Sequence, residues 1–277
     1  MDLYTKNAFQ CSQKTTHNYS TSFSLGVRLL SKRYRLPIHG IYGFVRFADE
    51  IVDTFHDYNK SELLEHFRKE TYSAINDKIS TNPILHSFQW TVHKFGIQHS
   101  VIDAFLDSMA MDLSYETHNT ETFKTYVYGS AEAVGLMCLS VFTDGNTTEY
   151  ERLKAPAQKL GEAFQKVNFL RDIKDDYEDR QRAYFPKLNP SAFDDEHKST
   201  IEQDIAADFK EAYEGIKALN KESRLGVYLA YNYYQKLFRK ITRTKAKNIM
   251  QRRYRISNTY KVGLLVQSYV KHKVNLI

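Results

Sequence analysis

The sequence predicts an all-α protein that folds as one helical bundle. Its 277 residues include 17 Phe and 20 Tyr but only 11 Gly and 5 Pro, a composition that favours long helices over short strands and tight turns. No fixed-period repeat and no Gly/Ser-rich or Pro-rich linker divides the chain, so we expect a single domain over residues 1–277. Apolar residues recur at helical spacing in seven segments, at 38–57, 61–79, 98–115, 121–142, 149–180, 200–220 and 223–250.

Turn-forming residues separate several of these segments. Breaks are expected near Asn82-Pro83, at Asp144-Gly145-Asn146 and between Pro186 and Pro190. Seven or eight helices in one domain should form a bundle with a central cavity, and facing helices of a bundle can hold polar side chains between them. The inward-pointing polar residues are therefore the candidates for a functional site.

The charge of the chain restricts its partners without choosing among them. A formal charge of +6 and a pI near 9.0 suit nucleic acid, an anionic membrane surface or a small anionic substrate such as a diphosphate. The basic residues form no recognised nucleic-acid-binding motif, so we expect no nucleic-acid partner. Acidic residues are dense at 172–179 and basic ones at 239–255, an arrangement that suits a metal together with phosphate.

Cysteine content and hydropathy indicate a cytoplasmic protein. Cys11 and Cys138 lack the short spacing of a zinc site or a redox dithiol. The first twenty residues have no apolar signal core, and no window reaches a run of about 18 uncharged apolar residues. We therefore predict free thiols and no membrane-spanning segment.

Two aspartates lie on one face of the first strongly patterned helix. In IYGFVRFADEIVDTFHD, a step of about 100° per residue places the packing face along one arc, and Arg46, Asp49 and Asp53 fall on the neighbouring arc with Tyr42. Carboxylates four residues apart stack on a helix face and repel unless a cation neutralises them. A solvated surface with an internal Arg–Asp pair is the alternative interpretation. The predicted packing face comprises Ile41, Val45, Ala48, Val52 and Phe55.

A second acidic stripe lies within GEAFQKVNFLRDIKDDYEDRQRAYFP. The same step gathers five polar residues on a face roughly 80° wide. Carboxylate and amide oxygens are the ligands that Mg²⁺ prefers, and the lack of thiolate or imidazole ligands argues against zinc. A charged surface helix is again the alternative, and Lys174 and Asp175 look solvated. The stripe consists of Gln165, Asn168, Asp172, Asp176 and Asp179.

Two acidic faces and many aromatic side chains together suit the ionisation of an allylic diphosphate. Diphosphate leaves only when its developing charge is neutralised, and metal ions held between opposed acidic faces supply that neutralisation. Aromatic faces can shelter an allylic cation by cation–π attraction, although each ring could equally be ordinary core. The candidate aromatic residues are Phe23, Phe44, Tyr126, Tyr128, Phe142, Phe164 and Phe169.

At these motifs the sequence resembles the squalene and phytoene synthase family, the head-to-head prenyl synthases. The resemblance covers nearly the whole chain in five ordered blocks, and its YGSAEAVG block is most similar to bacterial phytoene synthases. The blocks are SxSF at Ser20 to Phe23, IYGFVRFADEIVD, YVYGSAEAVGLM at 126–137, GEAFQKVNFLRDIKDDYEDRQRAYFP, and RRYRIS at 252–257.

The resemblance implies an isoprenoid-synthase helical bundle and assigns roles to individual positions. Asp49 and Asp53 should face Asp172 and Asp176 across metal ions, with Asn168 as a further metal ligand. These aspartates and Tyr126 would be the catalytic residues, and Arg171 and Arg182 match motif arginines without a clear role. The residues implied to contact substrate diphosphate or lie near it are Ser20, Ser22, Arg46, Gln165, Tyr234 and Arg253.

The resemblance also implies a reaction. Two geranylgeranyl diphosphates would condense through a cyclopropylcarbinyl diphosphate to phytoene, the first step of carotenoid biosynthesis, with Mg²⁺ as cofactor, or Mn²⁺ in its place. No NADPH is expected, because the chain has no GxGxxG turn after a strand and a central triene needs only proton loss. Three positions differ from many relatives: Glu50 keeps the charge of the usual Asp, Tyr19 replaces His, and the role of Glu132 stays open.

Three alternatives remain. The substrates could be two farnesyl diphosphates, giving dehydrosqualene or squalene. The protein could be a non-catalytic family member that acts in assembly, although such members tend to lose the carboxylates. Finally, the basic and apolar segment KLFRKITRTKAKNIMQRRYRIS could rest on the inner membrane face, or it could simply serve the internal diphosphate site. The sequence says nothing about the oligomeric state.

Overall fold

Helices build the whole described fold. The computed structural model describes residues 1–114, 117–178, 182, 184–186, 193–251 and 253–273, and these ranges contain helices and no strand. The all-α, single-domain prediction is confirmed. The helices are α1 (Leu3–Tyr19), α2 (Thr21–Leu29), α3 (Lys32–Asp53), α4 (Lys60–Asp77), α5 (Pro83–Phe95), α6 (His99–Met111), α7 (Thr120–Val127), a π-helical turn (Tyr128–Glu132), α8 (Ala133–Phe142), α9 (Thr147–Glu178), α10 (Asp195–Ala218), α11 (Lys221–Thr242), α12 (Ala246–Ile249) and α13 (Asn258–Lys273).

Helices α1, α2, α5 and α13 lie outside the seven predicted segments. For α1, the reason that the sequence pattern missed the helix is that it buries Thr5, Ser12 and Thr16 against its neighbours as well as apolar side chains. Ser12 Oγ lies 2.7 Å from Ser87 Oγ of α5. Buried hydroxyls that bond to each other pack as well as apolar groups, but they leave no apolar periodicity in the sequence.

Helix α3 lies at the centre of the larger hydrophobic core. The Phe44 ring is fully buried and stacks on Phe88 of α5 with ring centres 3.9 Å apart. The helix begins at Lys32, six residues before the predicted start, and runs through Pro37. The predicted packing face is wrong at Phe55, which is 38% exposed, because α3 ends at Asp53.

Helices α7 and α8 form one continuous rod through the π-helical turn. Residues Thr120–Phe142 are apolar and long enough by composition to cross a membrane, a feature that the sequence analysis missed, but 56% of the apolar window is buried inside the protein. Gly129 allows the rod to touch α6, because a Cβ there would lie 2.2 Å from the Ala104 carbonyl oxygen. The rod is therefore explained as a core helix.

A buried ionic cluster joins α9 to α10. Lys166 Nζ lies 2.6 Å from a Glu162 carboxylate oxygen and 2.7 Å from Asp208, and it also pairs with Asp204. These three carboxylates are close enough together to hold one metal ion. The Lys166 ammonium and that of Lys159, which pairs with Glu162 and Asp208, offset two of the three negative charges, so the cluster is better explained as an interhelical salt-bridge network than as a metal site.

We predict that Gly129→Ala lowers the free energy of unfolding by about 3 kcal/mol, because the added methyl group must push the α6 backbone away. Gly263→Ala on α13 is the matched control, since a Cβ there meets nothing within 4 Å. The control should be neutral or up to about 1 kcal/mol more stable. Urea unfolding followed by circular dichroism measures both, and equal stabilities would contradict the close α6 contact.

Candidate active site

The α3 carboxylates lie beside an arginine on the same helix. Arg46 Nη1 lies 3.8 Å from Asp49 Oδ2, and Arg46 Nη2 binds Glu50. Burial, together with the negative charges of Asp53 and Asp112, raises the pKa of Asp49 to about 7 against the opposing charge of Arg46. A third of the side chain nevertheless stays accessible. The α3 face thus carries more negative charge than its own arginine neutralises.

Arg182 connects the α3 face to a carboxylate at the end of α6. Its Nη1 lies 3.1 Å from Asp53 Oδ1 and 3.4 Å from Asp112 Oδ1, and its Nη2 donates to the Asp112 carbonyl oxygen at 2.9 Å. Tyr126 and Tyr184 also donate to the Asp112 carboxylate, at 2.9 and 3.2 Å. Burial raises the pKa of Asp112 to about 6 despite these donors. Tyr126 therefore contacts Asp112 directly. Asp112 and Arg182 in turn connect Tyr126 to Asp53 on the α3 face.

Asp112 is the site residue that the sequence analysis missed. It follows the last residue of α6 and has no acidic residue three or four positions before it, so no stripe along α6 singles it out. Its 5% exposed side chain is recognisable only once Arg182 and the two tyrosines are seen around it.

The polar stripe of α9 forms the opposite wall of the site. Asp172 binds two arginines, since Arg171 Nε lies 2.8 Å and Arg253 Nε 2.7 Å from its Oδ1. Asp176, one turn further on, is only 5% exposed and lies near Tyr184, whose pKa is raised by burial and by the charges of Asp112 and Asp176. Tyr184 therefore stands between the α6 and α9 carboxylates. Asp179 lies outside the described residues.

Asn168, Gln165 and Tyr234 extend this wall toward the apolar interior. The Tyr234 hydroxyl donates to Asn168 Oδ1 at 3.2 Å, Asn168 Nδ2 donates to Gln165 Oε1 at 3.3 Å, and Gln165 Nε2 donates to Ser130 Oγ at 3.1 Å. The Tyr234 ring stacks on Phe164 with centres 3.9 Å apart. This series of hydrogen bonds thus ends at the stacked rings of Tyr234 and Phe164.

An apolar cavity of about 280 Å³ begins where the polar stripe ends. Gln165, Ser130, Phe164 and Phe23 line its polar end, and other lining residues follow α9 back to Leu153. Twelve helical residues separate Gln165 from Leu153, which corresponds to about 18 Å. Of the seven aromatic candidates, Phe23, Phe142 and Phe164 line the cavity, whereas Phe44, Tyr126, Tyr128 and Phe169 pack elsewhere.

Residues at the junction of α1 and α2 adjoin the arginine of α3. Ser20 caps α2 by accepting from the Phe23 amide at 3.2 Å, and Ser22, in the first turn, makes no side-chain hydrogen bond within the described ranges. The Arg46 guanidinium lies over the Tyr19 ring, 4.4 Å from its centre. Tyr19 thus supports Arg46 with its aromatic face.

Glu132 points away from these carboxylates. It accepts a hydrogen bond from Gln158 of α9 at 2.9 Å, and burial, followed by the nearby charge of Glu162, raises its pKa to about 7. It thus adjoins the ionic cluster of α9 and α10. This answers the question that the sequence left open about the position.

The donor set suits a hard divalent cation and an anionic ligand. Asp49, Asp53, Asp172, Asp176 and Asn168, joined by Asp112, offer only oxygen donors. Arg46 Nε is buried and has no hydrogen-bond partner in the described part of the chain, a donor that a phosphate oxygen could satisfy. The residues present therefore fit Mg²⁺ with a diphosphate.

Comparison with known proteins places the chain among relatives of known type. A 4,4'-diapophytoene synthase of Staphylococcus haemolyticus is 25% identical over 96% of this chain and 94% of its own length. Phytoene synthase 3, chloroplastic, of Zea mays is 26% identical over 97% of this chain and 67% of its own length.

Solved structures share the fold. A crystal structure of a dehydrosqualene synthase in complex with ligand superposes with a TM-score of 0.81 at 21% identity and covers 98% of both chains. The squalene synthase HpnC from Alicyclobacillus acidocaldarius gives a TM-score of 0.77 at 18% identity, over 88% of this chain and 96% of that one. The helical fold is thus that of isoprenoid synthases.

One family model accounts for most of the chain. The model of the squalene/phytoene synthase family matches residues 16–260, a range that includes every carboxylate of the candidate site and all five sequence blocks. The protein belongs to the squalene/phytoene synthase family.

Proposed function

We propose that the protein condenses two geranylgeranyl diphosphates head-to-head to phytoene. The observation that carries the proposal is the continuity of the acidic stripe of α9 with the apolar cavity, which supports a diphosphate site at the mouth of a space for a prenyl chain. Relatives named phytoene synthase, including one from Arthrospira platensis that is 26% identical over 90% of this chain, support the same activity.

The stretch of α9 that lines the cavity supports C20 substrates. Carbon–carbon bonds of about 1.5 Å in an extended zigzag give the sixteen-carbon main chain of geranylgeranyl a length of about 19 Å, and the twelve-carbon chain of farnesyl about 14 Å. The span of about 18 Å from Gln165 to Leu153 matches the longer chain. Its volume of about 280 Å³ lies at the lower end of ligand sites, which suits one chain. The second chain would need a separate path.

Condensation of two farnesyl diphosphates is the second candidate. The similarity to the diapophytoene synthase of Staphylococcus haemolyticus over nearly the full length of both chains favours it. A purely structural role is disfavoured because the carboxylates of both acidic faces are present in the sequence and lie around one site.

The chain's own residues perform three tasks in the proposed reaction. Arg46, Arg253 and Gln165 would hold the diphosphate, with Ser20 and Ser22 at the same end of the cavity. Asp49, Asp53, Asn168, Asp172 and Asp176, with Asp112, would hold Mg²⁺, which supplies charge neutralisation to the departing diphosphate. Tyr126 and Tyr234 would orient the reacting ends, and the stacked Phe164 and Tyr234 rings would face the allylic cation.

The proposed chemistry balances without a reductant. The C–O bond of the first substrate breaks and diphosphate leaves; the double bond of the second substrate attacks the cation, and one proton is lost to form a cyclopropylcarbinyl diphosphate. The second C–O bond then breaks, the skeleton rearranges, and loss of another proton gives the central triene. Released diphosphate can accept these protons, so NADPH is not required. We propose a cytoplasmic location for this activity.

Product analysis tests the proposal. We expect Mg²⁺-dependent pyrophosphate release with C20 diphosphate, no requirement for NADPH, and a product with the mass of phytoene. Leu153→Phe should shorten the cavity and reduce turnover of C20 substrate more than that of C15 substrate. Exclusive use of C15 substrate would move the assignment to the second candidate. No pyrophosphate release from either substrate would overturn the enzymatic function.

We predict that Asp49→Asn and Asp172→Asn each reduce turnover by about 100-fold or more, because each removes a negative charge needed to hold the metal but keeps side-chain volume. Asp107→Asn is the matched control, since Asp107 is 64% exposed and pairs with Arg68 on the surface. Thermal unfolding should show all three variants folded. Near-normal turnover of both site variants at saturating Mg²⁺ would contradict the metal assignment.

We predict that Mg²⁺ and diphosphate bind cooperatively. Arg46, Arg182 and Arg253 already pair with Asp49, Asp53 and Asp172, so Mg²⁺ must compete with guanidinium groups unless a diphosphate draws those groups away. Any factor by which diphosphate raises the affinity for Mg²⁺ must equal the factor by which Mg²⁺ raises the affinity for diphosphate. Calorimetry with a non-ionisable thio-diphosphate analogue, with and without Mg²⁺, measures both. Equally tight analogue binding in the presence of a chelator would show that the acidic faces do not form a joint site.

A further inference from the structure

Positive charge is concentrated at the C-terminal end of the chain. Residues 223–277 contain thirteen Lys and Arg and no Asp or Glu, whereas the whole chain carries +6, so the first 222 residues carry −7. The candidate active site uses only Arg253 of these thirteen residues. Such an excess is larger than an internal diphosphate site needs.

Several of these basic groups meet on one exposed surface. Lys236, Lys240 and Arg255 line a shallow pocket beside Tyr260 at the start of α13. Lys236 Nζ lies 4.6 Å from the centre of the Tyr260 ring, and Lys240 Nζ donates to the Arg255 carbonyl oxygen at 2.8 Å. Within the described ranges none of the three cations pairs with a carboxylate. Their charge is therefore available to an external anion.

Helix α13 presents an apolar face to solvent. Val266, Tyr269 and Val270 are 55%, 46% and 53% exposed, and their spacing of three and four residues places them on one side. The opposite side is fixed against α11, because Leu264 is buried and Asn232 Nδ2 donates to the buried Ser268 hydroxyl at 3.0 Å. The rotation of α13 is thus set with valines outward.

We propose that this face of α13, together with the basic patch of Lys236, Lys240 and Arg255, docks the protein on an anionic lipid bilayer. Exposed valines and tyrosines can enter the headgroup region while lysine and arginine contact lipid phosphates. Nucleic acid would satisfy the cations but leave the valines in water. A second copy of the same face would bring like charges together.

The docking site differs from the segment that the sequence suggested. The sequence pattern offered residues 236–257 as a candidate for membrane contact, but that stretch buries Leu237, Phe238, Ile241 and Ile249 in the protein. The exposed apolar side chains lie beyond it, on α13. Residues 236–257 therefore supply the positive charge of the docking surface, and α13 supplies its apolar side chains.

Vesicle sedimentation with the full chain tests the proposal. We expect binding to phosphatidylcholine vesicles that contain about 30 mol% phosphatidylglycerol at about 0.1 M salt, and much weaker binding to pure phosphatidylcholine. Lys240→Gln/Arg255→Gln should weaken binding about 25-fold, since each basic residue contributes about fivefold. Val266→Gln/Val270→Gln should weaken it about tenfold and cannot lower helix propensity, because Gln exceeds Val.

Matched controls separate the surface from general effects. Ile79→Gln replaces a 60% exposed apolar side chain and Lys69→Gln an exposed charge, both outside the C-terminal region, and both should bind vesicles like the wild type. Unchanged binding by the valine variant, oligonucleotide binding in place of vesicle binding, or self-association without vesicle binding would each overturn the proposal.

The vesicle assay does not depend on turnover. The valine variant should retain wild-type pyrophosphate release in detergent, because neither valine lies in the catalytic machinery. An inactive protein that binds anionic vesicles would refute the proposed function and support docking. An active protein that does not bind vesicles would support the proposed function and refute docking.

Discussion

Pairing between clustered carboxylates and arginines from other parts of the chain holds the two walls of the site together. Arg182 lies between Asp53 of α3 and Asp112 of α6, and Arg253 reaches Asp172 of α9 from beyond α12. Without these guanidiniums the carboxylates would repel one another more strongly than they would in bulk water. The Arg182 amide also donates to the Asp176 carbonyl oxygen of α9 at 2.8 Å, so the position of α3 relative to α9 depends on charge pairing as well as on the apolar core.

The arginines do not neutralise all of the carboxylates, and the remaining negative charge destabilises the folded state. The pKa of Asp49 rises from its ordinary value of 3.8 to about 7 through burial and neighbouring negative charge. A carboxyl whose pKa is raised on folding opposes folding once it ionises, so its contribution to stability falls as pH rises from about 4 through 7. A site that tolerates excess negative charge is suited to bind cations, and such perturbed groups concentrate at functional sites.

The features that recur along one helix were predictable from the sequence, whereas those that require a tertiary contact were not. Asp172 and Asp176 share a helical face, so their stripe and the all-α fold follow from spacing. The position of Asp112 depends on where α6 ends and on Arg182, far away in sequence. Likewise, the orientation of the Glu132 side chain depends on a hydrogen bond from Gln158 of α9. The burial of α1 depends on pairs of hydroxyl groups. Sequence spacing carries no record of such partners.

In the proposed function, helix α9 would link the diphosphate site to the length of the substrate. Its C-terminal half carries Asn168, Asp172 and Asp176, and the preceding turns from Leu153 to Gln165 form a wall of the apolar cavity. Because a helix is stiff and rises about 1.5 Å per residue, the distance from the diphosphate site to the far end of the cavity is set by the number of residues between them. Under the proposed function, a change in substrate length would therefore require a bulkier or smaller side chain along this wall. The acidic stripe could stay unchanged, because the carboxylates would act on the diphosphate and not on the prenyl chain, so one set of carboxylates could serve substrates of different lengths.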